Sequence, residues 1–167
     1  MSNPKSPREK LESAIDSLNR DYGQRVKPFL EADVVGYLYY KWLSENKNDS
    51  IKLHLGARMP EFKPSEHPDI VFGEPGDVQG KQGIRPGIVR TDLIVEVKSF
   101  AGFIKGQISA RKTRTRSDIE RLGGKAIPGN PTRVVFAFDP DQRLGKNERD
   151  ELRRMGRSQK YPVTFLT

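Results

Sequence analysis

The chain has 167 residues, 34% of them hydrophobic and 31% charged, with no cysteine and two histidines. That length suits one domain with a real core; the absence of cysteine excludes a disulfide framework and a thiolate metal site, and His54 and His67 are too few for a histidine-built zinc site. A formal charge of +8 and a pI near 9.8 favour a polyanionic partner, of which nucleic acid is the commonest.

The mean hydropathy of -0.72 lies toward the polar end of globular proteins, but clear apolar runs survive. The opening stretch MSNPKSPREK lacks the apolar core of a signal peptide, and no apolar run is long enough to span a bilayer. No long basic amphipathic helix argues for a membrane surface. The expectation is a soluble, cytoplasmic protein.

In chain order, Pro7 predicts a helix start, with Leu11, Ile15, Leu18 and Tyr22 at helical spacing. Pro28 marks a new start and predicts a second helix from about Phe29 to Ser44. Strand-like runs follow around Ile51–Leu55, Asp69–Phe72 and Ile88–Ser99. Between the last two lies GEPGDVQGKQGIRPG, which reads as a Gly/Pro-rich loop. A basic stretch comes next, then a short helix opened by the Ser117/Glu120 capping box and stopped by Gly123–Gly124. Thr132–Phe138 reads as a buried strand, Asn147–Met155 as a helix and Tyr161–Leu166 as a last strand. The expected fold class is α/β, in the order ααβββαβαβ, with a mixed sheet flanked by helices. The whole of 1–167 is expected to be one domain, with 1–27 either part of the core or an accessory arm.

Two places in this pattern carry chemistry. Along Leu93–Lys98 the side chains alternate, so Leu93, Val95 and Val97 point one way and Ile94, Glu96 and Lys98 the other. Apolar residues on both faces mark a central, doubly covered strand, where a carboxylate and an ammonium are costly unless paired or bound. Alone, the two also read as an ordinary same-face ion pair. Asp69 opens an apolar strand directly after Pro68, a position that also suits a plain turn residue.

Together, Pro68-Asp69 and Glu96-Val97-Lys98 resemble the PD-(D/E)XK signature of restriction-endonuclease-like nucleases. The resemblance implies a restriction-endonuclease-like core with Asp69 and Glu96 on adjacent strands of one hairpin. It implies that Asp69, Glu96 and the Val97 carbonyl hold Mg²⁺, with Mn²⁺ substituting, and that Lys98 holds the water or the developing negative charge. Family members usually add a glutamate from a preceding helix. Glu31 shares a stripe with Val34, Val35, Leu38 and Trp42, and it reads as that ligand or as a first-turn glutamate complementing the helix dipole. Asp33, on the outer face, and Glu12, in the first helix, are weaker candidates. The resemblance runs from about Glu31 to Phe138. The long interval between Asp69 and Glu96 reads as an insertion, and Asp92, on the Glu96 face, reads as a solvated residue at the mouth.

Lys105, Arg111, Lys112, Arg114, Arg116, Arg121 and Lys125 follow the catalytic strand, offset by Asp118 and Glu120. They read as a surface tracking a nucleic-acid backbone or as a solvated helix face, with Lys81 and Arg85 of the long loop as extensions. Asp139 and Asp141 suit a turn around Pro140, and Tyr37, Tyr39 and Tyr40 suit packing and helix surface. What the resemblance implies is a metal-dependent endonuclease acting on DNA. The alternatives are a nucleic-acid-binding module of the same fold that does not cut, and an enzyme that cleaves RNA or junctions. A homodimer is a natural arrangement for cutting two strands.

Overall fold

Ser6 caps the first helix α1 (Pro7–Asp21): its Oγ accepts the Glu9 N–H, and Glu9 accepts the Ser6 N–H at 2.7 Å. This computed structural model describes residues 4–24, 30–63, 65–80, 83–101 and 105–167, so the proposed starts at Pro28 and Phe29, like Lys81, lie outside the described residues. After α1 come α2 (Glu31–Glu45), a 3₁₀ turn (Lys47–Asp49), β1 (Leu53–Leu55), β2 (Ile70–Gly80) and β3 (Gly83–Ser99). Then follow α3 (Lys105–Gly124), β4 (Thr132–Phe138), α4 (Lys146–Arg157) and β5 (Val163–Leu166). Apart from the 3₁₀ turn, that is the expected order.

The chain is α/β, with a five-stranded mixed sheet in the order β1-β2-β3-β4-β5. The first three strands form an antiparallel meander, with Leu53 opposite Phe72 and Ile70 opposite Val95. Strands β4 and β5 join in parallel, with Val95 beside Val134 and Val134 beside Thr164.

Strict alternation along β3 separates the core into two layers. Leu93, Val95 and Val97 pack with Leu18 of α1 and Val34, Leu38 and Trp42 of α2. Ile94 packs on the opposite face with Ile119 and Leu122 of α3 and Leu152 of α4. The Trp42 ring stacks on Phe72 at 5.5 Å, and its Nε1 donates to the Asp49 carboxylate at 2.6 Å. Lys10 of α1 reaches the same carboxylate at 2.8 Å. One buried aspartate thus ties the 3₁₀ turn to both helices.

The stretch Gly73–Gly87 corrects the expectation of a loop. Its described residues, 73–80 and 83–87, form the distal part of a two-stranded ribbon, paired from Gly73↔Thr91 out to Gly80↔Gly83. Pro75 and Pro86 concealed it, yet they fall in pairs two register steps apart, Pro75↔Ile88 and Asp77↔Pro86. One alternation therefore turns both missing N–H groups outward, where a ribbon loses no ladder bond. Register shifts at Phe72/Gly73 and Glu74/Pro75 leave Asp92 and Val89 without partners, as β-bulges do. At the first bulge the strands approach so closely that a Cβ on Gly73 would lie 2.3 Å from the Arg90 carbonyl oxygen.

The helix after β3 is also longer than expected. Ser117 and Glu120 lie inside α3 rather than opening it. The Ser-x-x-Glu spacing is compatible with a helix interior, and the preceding residues already continue the buried stripe through Ile108 and Thr115. Thr115 Oγ1 bonds back to the Arg111 carbonyl at 2.9 Å, a habit of threonine within helices. The stop at Gly124 agrees with the expectation.

Candidate active site at the end of the β2–β3 pair

The pairing of Ile70 with Val95 brings Asp69, one residue before β2, level with Glu96 of β3. Asp69 is held there by backbone: its carbonyl accepts the Gly56 N–H at 3.0 Å, and its Oδ2 accepts the Val97 N–H at 2.7 Å. Glu96 and Lys98 share the β3 face that looks toward α3, and only 6% and 5% of their surfaces are exposed.

Burying these charges requires partners, and the structure gives them a network. Lys98 Nζ donates to Glu96 Oε1 at 2.9 Å, to the Val97 carbonyl at 3.0 Å and to Glu31 Oε1 at 3.3 Å. Asp118 Oδ2, from α3, lies 3.2 Å from the same nitrogen. Arg121 bridges Glu96 Oε2 and Asp118 Oδ1, each at 2.8 Å. Arg111 reaches Glu31 Oε2 at 2.7 Å and donates from Nε to the Ser99 carbonyl. Glu31 Oε2 and Glu96 Oε2 are buried, and each faces its arginine as a close ion pair.

Asp69 differs from the other carboxylates. No ion pair reaches it among the described residues, and the Val97 amide is its donor. Burial, then the neighbouring Glu96 charge, push its carboxyl up to about 7, against the opposing pull of the Val97 N–H and Lys98. Burial also raises Glu96, although Lys98 opposes it. For Lys98, burial works against the charged form, but Glu96, Asp118 and Glu31 outweigh it and hold the ammonium well above the usual lysine range. These carboxylates therefore favour the charged form of Lys98.

Beside the network lies an open cleft of about 410 Å³ lined by Glu66, His67, Glu96, Ser117, Asp118 and Arg121, among others. His67 Nδ1 is buried without a hydrogen-bond partner. Burial, then the Arg58 charge, lower this imidazole's pKa and favour its neutral form.

The structure therefore brings together Asp69, Glu96, Val97, Lys98 and Glu31, and adds Arg111 and Arg121 from the basic stretch. It separates the rest. Lys112 and Arg116 pair with Glu148 and Glu151 of α4, and Lys125 donates to the Glu61 carbonyl at 2.6 Å. Arg114 is exposed, Arg85 lies on the ribbon, and Lys105 opens α3 with its side chain outside the described set. Asp33 caps the Leu30 N–H, Glu12 pairs with Arg8, and Asp92 lies 3.7 Å from Arg90. Asp139 accepts the Arg143 and Leu144 N–H groups as a turn residue, and Tyr37 donates to Asp21 at 2.6 Å.

Asp118 and His67 belong to the site although sequence reasoning passed over them as functional residues. The signal for Asp118 was its place between Ile119 and the stripe of Arg111, Thr115 and Leu122. That signal is legible only once the helix is taken back to Lys105.

Among the described residues, no three acidic or histidine side chains already converge as a metal-ligand set. The reason is visible: Lys98, Arg111 and Arg121 are interleaved among the carboxylates. The donor chemistry nevertheless fits a hard cation. The Lys98 ammonium lies within 2.9–3.3 Å of oxygens from Glu96, Val97, Glu31 and Asp118. It stands for a positive charge in an all-oxygen cage, with the uncompensated Asp69 carboxyl across the strand pair. No protein-family model matches this chain, and searches of curated proteins and of solved structures likewise find no match.

Proposed function

We propose that this protein is a divalent-metal-dependent nuclease of the PD-(D/E)XK group that hydrolyses phosphodiester bonds in DNA, built on a restriction-endonuclease-like core. One observation carries the reading. Asp69 lies level with Glu96 across an antiparallel pair, Lys98 follows on the same face, and Glu31 reaches Lys98 from the preceding helix. The element order supports it: helix, three-stranded meander, helix, then a strand parallel to the third.

Asp69, Glu96, the Val97 carbonyl and Glu31 are the groups that would hold Mg²⁺ or Mn²⁺. Such an ion, when bound, lowers the pKa of water and offsets charge on the scissile phosphate. The protein's own groups do the rest. Lys98, in its favoured charged form, donates to the attacking water or to a phosphate oxygen as negative charge develops. Arg121, itself anchored by Asp118, holds Glu96 from the α3 side, and Arg111 fixes the reach of Glu31. The Val97 N–H keeps one Asp69 oxygen turned toward the strand pair.

A second reading, a nucleic-acid-binding module that does not cut, is favoured by the interleaved cations, which already neutralise most of the acidic cluster. Nicking of supercoiled DNA with Mg²⁺ or Mn²⁺ separates the two, using wild type, Asp69→Asn and Lys98→Met, with RNA and branched DNA as further substrates. Metal-dependent cutting of DNA lost in both folded variants is the expected result. Salt-sensitive binding with no cutting of any substrate would overturn the nuclease reading, and cutting confined to RNA would overturn its DNA assignment.

A further inference from the structure

Helix α4 (KNERDELRRMGR) carries basic and acidic residues mixed in sequence, but packing sorts them in space. Leu152 and Gly156 face inward, and the helix lies so close to β5 that a Cβ on Gly156 would meet the Val163 carbonyl oxygen at 2.2 Å. Glu148 and Glu151 turn toward α3, where Lys112 and Arg116 neutralise them. Asp150 pairs with Arg153 at 3.2 Å. Lys146, Arg149, Arg154 and Arg157 form no ion pair with any described residue; Lys146, Arg154 and Arg157 are exposed and Arg149 is half-buried. The acids of α4 are thus all paired, and four of its five cations are left without an acid.

The helix dipole explains only half of this. Arg154 and Arg157 in the last turn complement the negative helix end. Lys146 and Arg149 stand in and beside the first turn, where the dipole disfavours positive charge, so their presence needs another cause. Four of the α3 cations are the opposite case: Arg111, Lys112, Arg116 and Arg121 are committed to carboxylates of this chain, while Arg114 is exposed.

We infer that the outer face of α4, through Lys146, Arg149, Arg154 and Arg157, is the surface that grips the phosphate backbone of duplex DNA. This assignment rests on the nuclease reading and adds where its substrate lies. The twelve residues of α4 make a face roughly 18 Å long. One DNA strand carries a phosphate about every 3.4 Å of axis, so that face runs beside about five phosphates. Its neighbour α3 carries Asp118 and Arg121 of the cleft, on the same side of the sheet. Contacts of this kind set position and affinity without reading sequence.

The test is fluorescence anisotropy of a labelled DNA duplex over a salt series in EDTA. It uses wild type and the variant Lys146→Gln/Arg149→Gln/Arg154→Gln/Arg157→Gln. A charge-matched control, Lys5→Gln/Arg20→Gln/Lys41→Gln/Lys47→Gln, removes cations from the α1/α2 side. Four lost phosphate contacts reduce the slope of log affinity against log salt by about 3.6, so from about 50 to about 200 mM the wild type should lose about 150-fold more affinity than the α4 variant. The control should keep the wild-type slope to within about 1. If the fourfold variant fails to fold by circular dichroism, Arg154→Gln/Arg157→Gln should give about half that slope change.

An unchanged slope in the α4 variants, an equal drop in the control, or no wild-type binding at the lowest salt would overturn the inference. So would α4-dependent binding of RNA duplex without binding of DNA. Cleavage with Mg²⁺ or Mn²⁺, measured in parallel, separates the two claims. Cutting that persists while α4 proves irrelevant sinks only the α4 surface, and α4-dependent DNA binding without cutting sinks only the nuclease.

Discussion

Replacing Asp69 with asparagine should stabilise the protein at alkaline pH and have little effect at acid pH. Asparagine keeps the shape and can still accept the Val97 N–H, so the substitution removes charge and little else. In the fold, burial and the Glu96 charge push the Asp69 carboxyl from its ordinary 3.8 up to about 7. Between those values the folded chain holds a proton that the unfolded chain has released, so stability falls as pH rises through this window and stays low above it. A shift of about 3 units corresponds to on the order of 4 kcal/mol, and solvent screening of the partly exposed side chain brings this to roughly 2–3 kcal/mol. For a chain of this size that is roughly 4–12 °C in Tm. Thermal unfolding by circular dichroism in EDTA, at about pH 4 and about pH 8, near the two ends of the window, reads it directly. Excess Mg²⁺ at the higher pH should stabilise the wild type by about 2.7 kcal/mol at a hundred times Kd, seen as a raised Tm, and leave the variant unmoved. Asp69→Asn that lowers Tm at high pH, or shifts it equally at both, would refute the argument.

Lys98→Met should cost about 3–5 kcal/mol, because Glu96 would remain buried after losing the ammonium 2.9 Å from its Oε1; an unchanged midpoint in urea would show the network to be strain-free without its centre. Asp49→Ala strands the Trp42 indole N–H and the Lys10 ammonium and should cost about 2–4 kcal/mol. Trp42 fluorescence should report that melting transition several degrees lower, and a shift within error would mean that water replaces the carboxylate. Gly73→Ala forces a Cβ against the Arg90 carbonyl and should cost about 1–3 kcal/mol. Amide exchange should quicken in the ribbon beyond the bulge while β4 stays protected, and uniform loosening of the sheet would contradict that picture.

The sequence disclosed most about residues whose neighbours repeat a simple period. Thr132–Phe138 emerged with the expected bounds because it is built on the unbroken apolar run Val134–Phe138, and Val34, Leu38 and Trp42 defined the inward stripe of α2. Alternation along Leu93–Lys98 assigned both faces of β3 correctly. Periodicity was silent where the backbone departs from regularity. The ribbon was hidden because Gly73, Pro75, Pro86 and Gly87 look like loop punctuation, and their tolerance depends on which side of a strand pair each N–H faces. The length of α3 was hidden by a capping-box spacing at Ser117 that packing overrides. The fate of the basic stretch was hidden for another reason: whether Arg111 or Arg121 meets solvent or a carboxylate is decided by tertiary contacts with Glu31 and Glu96, distant in sequence.

The sorting of charge joins the two ends of this account. Around Lys98 four carboxylates, of Glu31, Asp69, Glu96 and Asp118, meet three cations, of Lys98, Arg111 and Arg121. When all are ionised one negative charge is left over, and it falls on Asp69, the member without an ion pair. On α4 the imbalance is reversed, because Glu148 and Glu151 are spent on α3. A polyanion is therefore attracted to the outer helix and repelled from the inner cluster. A divalent ion held by Asp69 and Glu96 would turn that leftover charge from negative to positive and admit one phosphodiester. Grip and chemistry then have separate requirements: the α4 face should hold DNA in EDTA, and a phosphate should enter the cluster only with metal present.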